Sequence, residues 1–151
     1  CAALTSDVER MHPEKVLLVS EEFENVRHDE HIAMIQALIG ASKFCDKQVN
    51  RYEVAEILSQ SKYLDVNKEA LLNGLQGPFQ LGLPGQTSAL DAIIFRRNRA
   101  SEPSVDKALW LMREINRNKL THEPLNLSKE LIQSYFRMDL YEEAERRFRA
   151  A

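Results

Sequence analysis

The chain has 151 residues, a length that suits one domain with a sizeable core. Apolar residues make up 44% and charged residues 28%, with five Gly and five Pro, so collagen-like, low-complexity and wholly disordered chains are excluded. The formal net charge is −3, from 20 Lys and Arg against 23 Asp and Glu. We therefore expect no overall attraction to nucleic acid or to an anionic membrane.

The first predicted element is a short β-strand. Residues 16–19, Val-Leu-Leu-Val, form an apolar run with β-branched ends that is typical of a buried strand. Ser20 follows as a helix cap, with Glu21 and Glu22 where a helix N-terminus is positive, so a short helix is predicted through Phe23.

The rest of the pattern is helical. Ile32, Ile35, Leu38 and Ile39 recur at three- and four-residue steps, which predicts a core helix over about 29–43. A capping-box spacing at Asn50 then begins another helix. Further helices are predicted at about 67–75, 87–98, 103–117, 127–137 and 140–149. The predicted fold class is mainly α, one short strand with seven or eight helices, in a single helical unit over 1–151.

One long irregular segment interrupts the helices at 74–86. Four of the five glycines and two prolines, Pro78 and Pro84, lie there among apolar residues. Because these apolar side chains would be costly to leave in water, we expect the loop to lie over the body of the protein or against a partner.

The two cysteines leave the redox compartment open. Cys1 and Cys45 form neither a disulfide framework nor a thiolate metal site. Two origins are compatible with Cys1 as first residue: the lipid-modified cysteine of a mature bacterial lipoprotein, or an ordinary chain boundary. No run of about 18 apolar residues occurs, so we expect no transmembrane helix.

No motif indicates catalysis, so we expect a protein that is not an enzyme and has no cofactor. The sequence lacks a nucleophile elbow, a phosphate-binding loop and a dinucleotide fingerprint. The densest group of possible metal ligands is His-Asp-Glu-His at 28–31, but no third ligand is marked by spacing. The blander interpretation is a solvated helix start, and no metal site is predicted.

A helical repeat is the alternative architecture. Residues 105–110 align with 141–146 at an offset of about 36 residues, close to the period of tetratricopeptide-like and pentatricopeptide-like arrays. Such an array would be a scaffold that binds protein or RNA, and residues 16–19 would be helical in it.

Four stretches in order resemble one known family. They are the Pro-Glu-Lys passage into the predicted strand at 12–23, the helical segments at 37–46 and 50–64, the Gly-Pro-Phe-Gln-Leu-Gly stretch at 77–82 with 95–112, and the closing helix at 139–144. Together they are similar to the C-terminal part of the nitrate/bicarbonate-type substrate-binding proteins of bacterial ABC transporters, which are related to sulfonate and thiamine-precursor binders.

The resemblance implies a function in anion binding. It implies a two-lobed α/β clamp that closes on a small oxyanion, such as nitrate, nitrite or bicarbonate, and presents it to an ABC permease. It implies a periplasmic or membrane-associated protein, or a cytoplasmic one if the chain is a nitrate sensor of the same fold. Lys15 is the one ligand-binding candidate, because it stands at the Pro-Glu-Lys position and an ammonium suits a small anion. We also expect exposed apolar surface to drive homo-oligomerisation.

Overall fold

Helices dominate the computed structural model, which describes residues 12–76 and 93–150. Seven α-helices lie in these ranges: α1 Glu21–Val26, α2 His28–Asp46, α3 Arg51–Ser59, α4 Lys68–Gln76, α5 Val105–Arg117, α6 Lys129–Tyr135 and α7 Met138–Ala150. Two 3₁₀ turns, Gln48–Asn50 and Arg97–Arg99, complete the regular structure there. The described part of the chain therefore has the mainly α class that the sequence predicts.

The predicted strand at 16–19 is wrong. Residues 12–20 form no regular secondary structure, and no strand occurs anywhere in the described ranges. Val16 and Leu18 are 68% and 86% exposed. A β-branched apolar run favours an extended backbone, but a strand also needs a neighbour for its N–H and C=O groups, and none is present in these ranges. The segment is not helical either, contrary to the helical-repeat alternative.

The helix caps explain where several predicted helices begin. Ser20 Oγ accepts a hydrogen bond from Phe23 N at 3.1 Å, so the predicted cap of α1 is correct. The predicted capping box at Asn50 is wrong, because its amide Nδ2 instead donates to Phe44 O at 2.9 Å. Ser104 and Ser128 cap α5 and α6 by accepting from the third residue of each helix. Helix α5 therefore begins after Pro103 and not at it.

Most of the predicted loop at 74–86 lies outside the described residues. Its first three residues, 74–76, are the last residues of α4. The predicted helix at 87–98 is also largely outside, and the part that is described is not an α-helix. Residues 93–96 have no helical structure, and Arg97–Arg99 form only a 3₁₀ turn, with positive φ at Asn98 and Arg99.

Backbone contacts group the chain into two compact units. The middle unit draws its described residues from Ala41–Ala100, and the end unit draws its described residues from Met11–Gly40 and Ser101–Ala151. The division falls inside α2, between Gly40 and Ala41. That the chain folds as one independent unit stays a prediction.

The end unit has a core between α2 and α7. Its buried side chains are Ile32, Ile39, Leu140, Tyr141 and Ala144, with Ile35, Met138 and Phe148 packed against them. Each large apolar side chain buried in this way contributes about 1.5–3 kcal/mol. The predicted core face of α2 is thus correct at Ile32 and Ile39, whereas Leu38 is 48% exposed.

The middle unit is smaller, and α3 packs on α4. Val54 and Ala55 of α3 are buried, as the periodicity predicts, but Ile57 is 39% exposed. The largest buried side chain of this unit is a charged one, Arg51, which is only 1% exposed.

Candidate functional site

Lys15, the one predicted ligand-binding residue, lies in the irregular segment before α1. Two contacts hold this segment just before it: His12 Nε2 lies 3.1 Å from Glu14 Oε1, and the His12 ring lies 6.1 Å from the ring of Trp110 in α5. Lys15 itself is exposed, and nothing in the described part of the chain pairs with its ammonium. The Lys15 ammonium is therefore exposed to solvent, three residues after the His12 ring that contacts Trp110.

A single exposed ammonium is a weak anion site. Exposed ion pairs contribute about 0–1 kcal/mol, because water screens the charge and the long side chain must be ordered. Tight binding of a small oxyanion needs several preorganised donors in a desolvated position. Lys15 is the only site residue that the sequence predicts, so this geometry alone accounts for weak attraction of an anion only.

The two histidines at 28–31 do not form a metal site in the structure. Both ring Nδ1 atoms face one carboxylate, that of Glu24 in α1: His28 at 2.7 Å from Oε1, and His31 in a short contact with Oε2. His31 is 6% exposed. In the described ranges no group of three or more His, Cys, Asp or Glu residues is arranged to hold a metal ion.

Glu24 is an anion held by these two histidines. Burial raises the pKa of its carboxyl group, but the hydrogen bonds from His31 and His28 outweigh burial and leave the pKa below its ordinary value. Sequence reasoning missed Glu24. The available signal was spacing, since Glu24 precedes His28 by four residues and His31 by seven.

A second anion, Asp46, caps the 3₁₀ turn Arg97–Arg99 of the middle unit. Its carboxylate accepts from the backbone N of Phe95 and of Arg96, both at 3.0 Å, and from Arg97 N at 2.6 Å. Burial raises the pKa of Asp46, but the three backbone hydrogen bonds prevail and the pKa lies below its ordinary value. No local sequence pattern reveals this contact, because its partners lie about fifty residues away in the chain.

Arg51 is a buried cation that binds backbone carbonyls. Its guanidinium donates to Leu75 O at 3.0 Å and to Ile93 O at 3.4 Å, and it stacks over the Phe95 ring at 5.0 Å. Leu75 is in the last turn of α4, where the helix dipole is negative. Arg51 Nε is buried without a hydrogen-bond partner. The contacts of the other two guanidinium nitrogens with backbone carbonyls are structural.

The remaining predictions on chemistry concern Cys45 and membrane insertion. Burial, as the largest effect, raises the pKa of the half-buried Cys45 thiol, so this thiol is a poor nucleophile at neutral pH. Cys1 lies outside the described residues. Among the helices of the described ranges, none combines the length and the apolar composition required to cross a bilayer.

Comparisons with known proteins show what the chain is similar to. Residues 1–59 match the model of the NMT1-like family. The chain is 28% identical to the bicarbonate-binding protein CmpA of Synechococcus elongatus, over 97% of this chain and 34% of that protein. It is 28% identical to the nitrate/nitrite binding protein NrtA of the same organism, over 95% of this chain and 32% of that protein.

A third relative carries a different kind of name. The chain is 34% identical to the nitrate import ATP-binding protein NrtC of Synechococcus elongatus, over 91% of this chain and 20% of that protein. The chain thus spans between a fifth and about a third of the length of these relatives. The resemblance predicted from the sequence is confirmed: the chain is related to the nitrate/bicarbonate-type substrate-binding proteins of ABC transporters.

Proposed function

We propose that this chain is the C-terminal segment of a two-lobed α/β substrate-binding protein that delivers nitrate, bicarbonate or a similar small oxyanion to an ABC permease. The observation that carries the proposal is the near end-to-end match to two proteins named for binding these anions, over 95% and 97% of this chain. The role needs no covalent chemistry. It places the protein in the periplasm or at the membrane, or in the cytoplasm if the segment serves a nitrate sensor.

The match to an ATP-binding protein is compatible with this proposal. A phosphate-binding loop requires the pattern Gly-x-x-x-x-Gly-Lys-Ser/Thr, because its backbone N–H groups and its lysine surround the phosphates. In this chain the one Gly-x-x-x-x-Gly, at 77–82, is followed by Leu83 and Pro84. The stretch shared with the ATP-binding relative is thus an anion-recognition segment in our proposal, and not a nucleotide site.

Lys15 is the proposed ligand-binding residue. It lies next to the segment that the His12–Trp110 contact fixes, and its ammonium is exposed and available to an anion. Because one exposed cation binds weakly, we expect further donors from parts of the binding protein that match no residue of this chain.

Calorimetric titration of the chain with nitrate, nitrite and bicarbonate tests whether this segment holds only part of the anion-binding site. We expect dissociation constants weaker than about 1 mM, the affinity that corresponds to about −4 kcal/mol. Tight binding that Lys15→Ala abolishes would contradict the proposal that this segment holds only part of the site.

A chimaera tests the function itself. The stretch of the bicarbonate-binding protein that matches this chain is replaced by this chain, and bicarbonate binding is measured. We expect the chimaera to bind, and Lys15→Ala to weaken binding at least tenfold, whereas Lys119→Ala, at another exposed lysine, leaves it unchanged. A folded chimaera that binds no anion would refute the proposed function.

A further inference from the structure

His28 occupies a position between three helices of the end unit. It is the first residue of α2; its Nδ1 lies 2.7 Å from Glu24 Oε1 in α1, and its Nε2 lies 3.5 Å from Glu143 Oε1 in α7. Both ring nitrogens therefore face carboxylate oxygens. The side chain is 41% exposed, so protons exchange freely with solvent.

The protonation state follows from this geometry. A neutral imidazole has one N–H donor and one lone pair, so it donates to one carboxylate and directs its lone pair at the other. Only the imidazolium donates to both. We propose that protonated His28 connects α1 and α2 to α7 by binding Glu24 and Glu143 together, and that loss of its proton releases Glu143.

The choice of the released partner follows from distance and from alternative contacts. The Glu24 contact is the shorter one, and Glu24 also binds the buried His31. Glu143 has another partner, since its Oε1 accepts from Arg147 Nη2 at 2.6 Å. A neutral His28 consequently keeps its proton on Nδ1 for Glu24, while Glu143 remains paired with Arg147.

Other charges near His28 act in both directions. The positive N-terminus of α2 and Arg147 of α7 oppose the imidazolium. Asp29, which binds Arg147 Nη1 at 2.9 Å, and Glu30, which binds Arg27 Nε at 2.8 Å, favour it. Two further charged groups lie beside this cluster in the described part of the chain: His31 on α2, bound to Glu24, and Arg137 next to α7, bound to Asp139.

The pKa of His28 lies above its ordinary value of 6.5, and the largest cause is the hydrogen bond to Glu24. Glu143 adds to the increase, and desolvation opposes it. A group whose pKa is raised on folding stabilises the fold below its unfolded pKa, and the stabilisation disappears as the pH rises through the folded pKa. The stabilisation by the His28 connection is therefore fully present below pH 6.5 and is lost only as the pH rises through the higher pKa of the folded chain.

NMR titration of the full chain measures this directly. The ring signals of His28 are assigned by their loss in His28→Gln and followed from pH 5 to 9. We expect a midpoint above 6.5, a neutral form protonated on Nδ1, and a lower midpoint in Glu143→Gln. The matched control is Glu142→Gln, which removes the same charge from the adjacent, exposed position of α7 and should shift the midpoint much less.

The pH dependence of stability is a second measurement. A histidine with a merely structural role would not make the effect of Glu143→Gln depend on pH. The difference in urea midpoint between the wild type and Glu143→Gln should be largest at pH 5.5 and smaller at pH 9, where only the lost Glu143–Arg147 pair contributes to it. A His28 midpoint at or below 6.5, an equal response to both glutamate variants, or a neutral form protonated on Nε2 would overturn the proposal. If His28→Gln does not fold, the two glutamate variants still decide the outcome.

Discussion

Asp46 shows how one carboxylate determines the local backbone of the middle unit. Three consecutive backbone N–H groups, from Phe95 to Arg97, donate to its carboxylate. These donors precede or begin the 3₁₀ turn Arg97–Arg99 and would otherwise lack an acceptor within the turn. The chain then takes two residues with positive φ, Asn98 and Arg99. For Arg99 this conformation costs free energy, and the Asp46 contacts just before it stabilise the turn that contains it.

Replacing Asp46 should therefore destabilise the middle unit. Asp46→Ala leaves three N–H groups without their charged acceptor, and we expect a loss of about 2–4 kcal/mol in the free energy of unfolding, with a smaller loss for Asp46→Asn. Urea denaturation followed by circular dichroism measures it. The control Asp65→Asn makes the same change at an exposed position whose positive φ suits Asn, and it should change stability by less than about 0.5 kcal/mol.

The same contact has a pH dependence of known sign. Because the pKa of Asp46 is lower in the folded state than its ordinary value of 3.8, its stabilisation is present above pH 3.8 and is lost as the pH falls through the folded pKa. The difference in stability between the wild type and Asp46→Asn should accordingly shrink in acid. A constant difference from pH 6 to pH 2 would show that the charge of Asp46 is not what binds the turn.

At the scale of elements, two helices contain a glycine in their interior. A Cβ at Gly40 of α2 would lie 3.2 Å from the Phe148 ring of α7, whereas a Cβ at Gly74 of α4 would meet nothing within 4 Å. Gly40 thus permits the close approach of two core helices. Gly74 has no such packing reason among its described neighbours.

Substitution by alanine should separate these two roles. Gly74→Ala should raise the free energy of unfolding by about 0.5–1 kcal/mol, because alanine restricts the unfolded chain and favours the helix. Gly40→Ala should gain less or lose stability, because the Phe148 ring must move to admit the methyl group. Thermal unfolding of both variants is the measurement, and a larger gain at Gly40 than at Gly74 would contradict this account.

Local sequence patterns predicted the elements far better than they predicted the contacts between them. The helices are predictable because the three- and four-residue spacing of apolar residues lies within each segment, as at Ile32 and Ile39. The predicted strand at 16–19 is wrong because strand pairing depends on a second segment. The predicted capping role of Asn50 is wrong because its side-chain amide donates to Phe44 O. Asp46 and Arg51 could not be found, since their partners are distant in sequence.

At the scale of the whole molecule, exposed apolar residues are unevenly distributed. Three consecutive ones, Val16, Leu17 and Leu18, are 68%, 44% and 86% exposed on a segment without regular structure. Adjacent exposed apolar side chains on a segment outside helices and strands favour association with another chain. Single exposed residues such as Leu120, at 71%, carry no such implication.

We therefore expect the chain to self-associate through residues 16–18. Light scattering coupled to size-exclusion chromatography should give a mass above that of the 17.4 kDa monomer, rising with protein concentration. Leu18→Lys should restore the monomer, because it places a charge in the apolar segment. Leu120→Lys is the control and should leave the association intact. A monodisperse wild-type monomer would rule the expectation out.

Arg51 has a consequence for how this sequence can vary. One guanidinium binds the carbonyls of Leu75 and Ile93, so a single side chain connects two described positions that are distant from each other in the chain. Substitution of Arg51 should therefore disturb both positions at once, which limits how freely position 51 can vary.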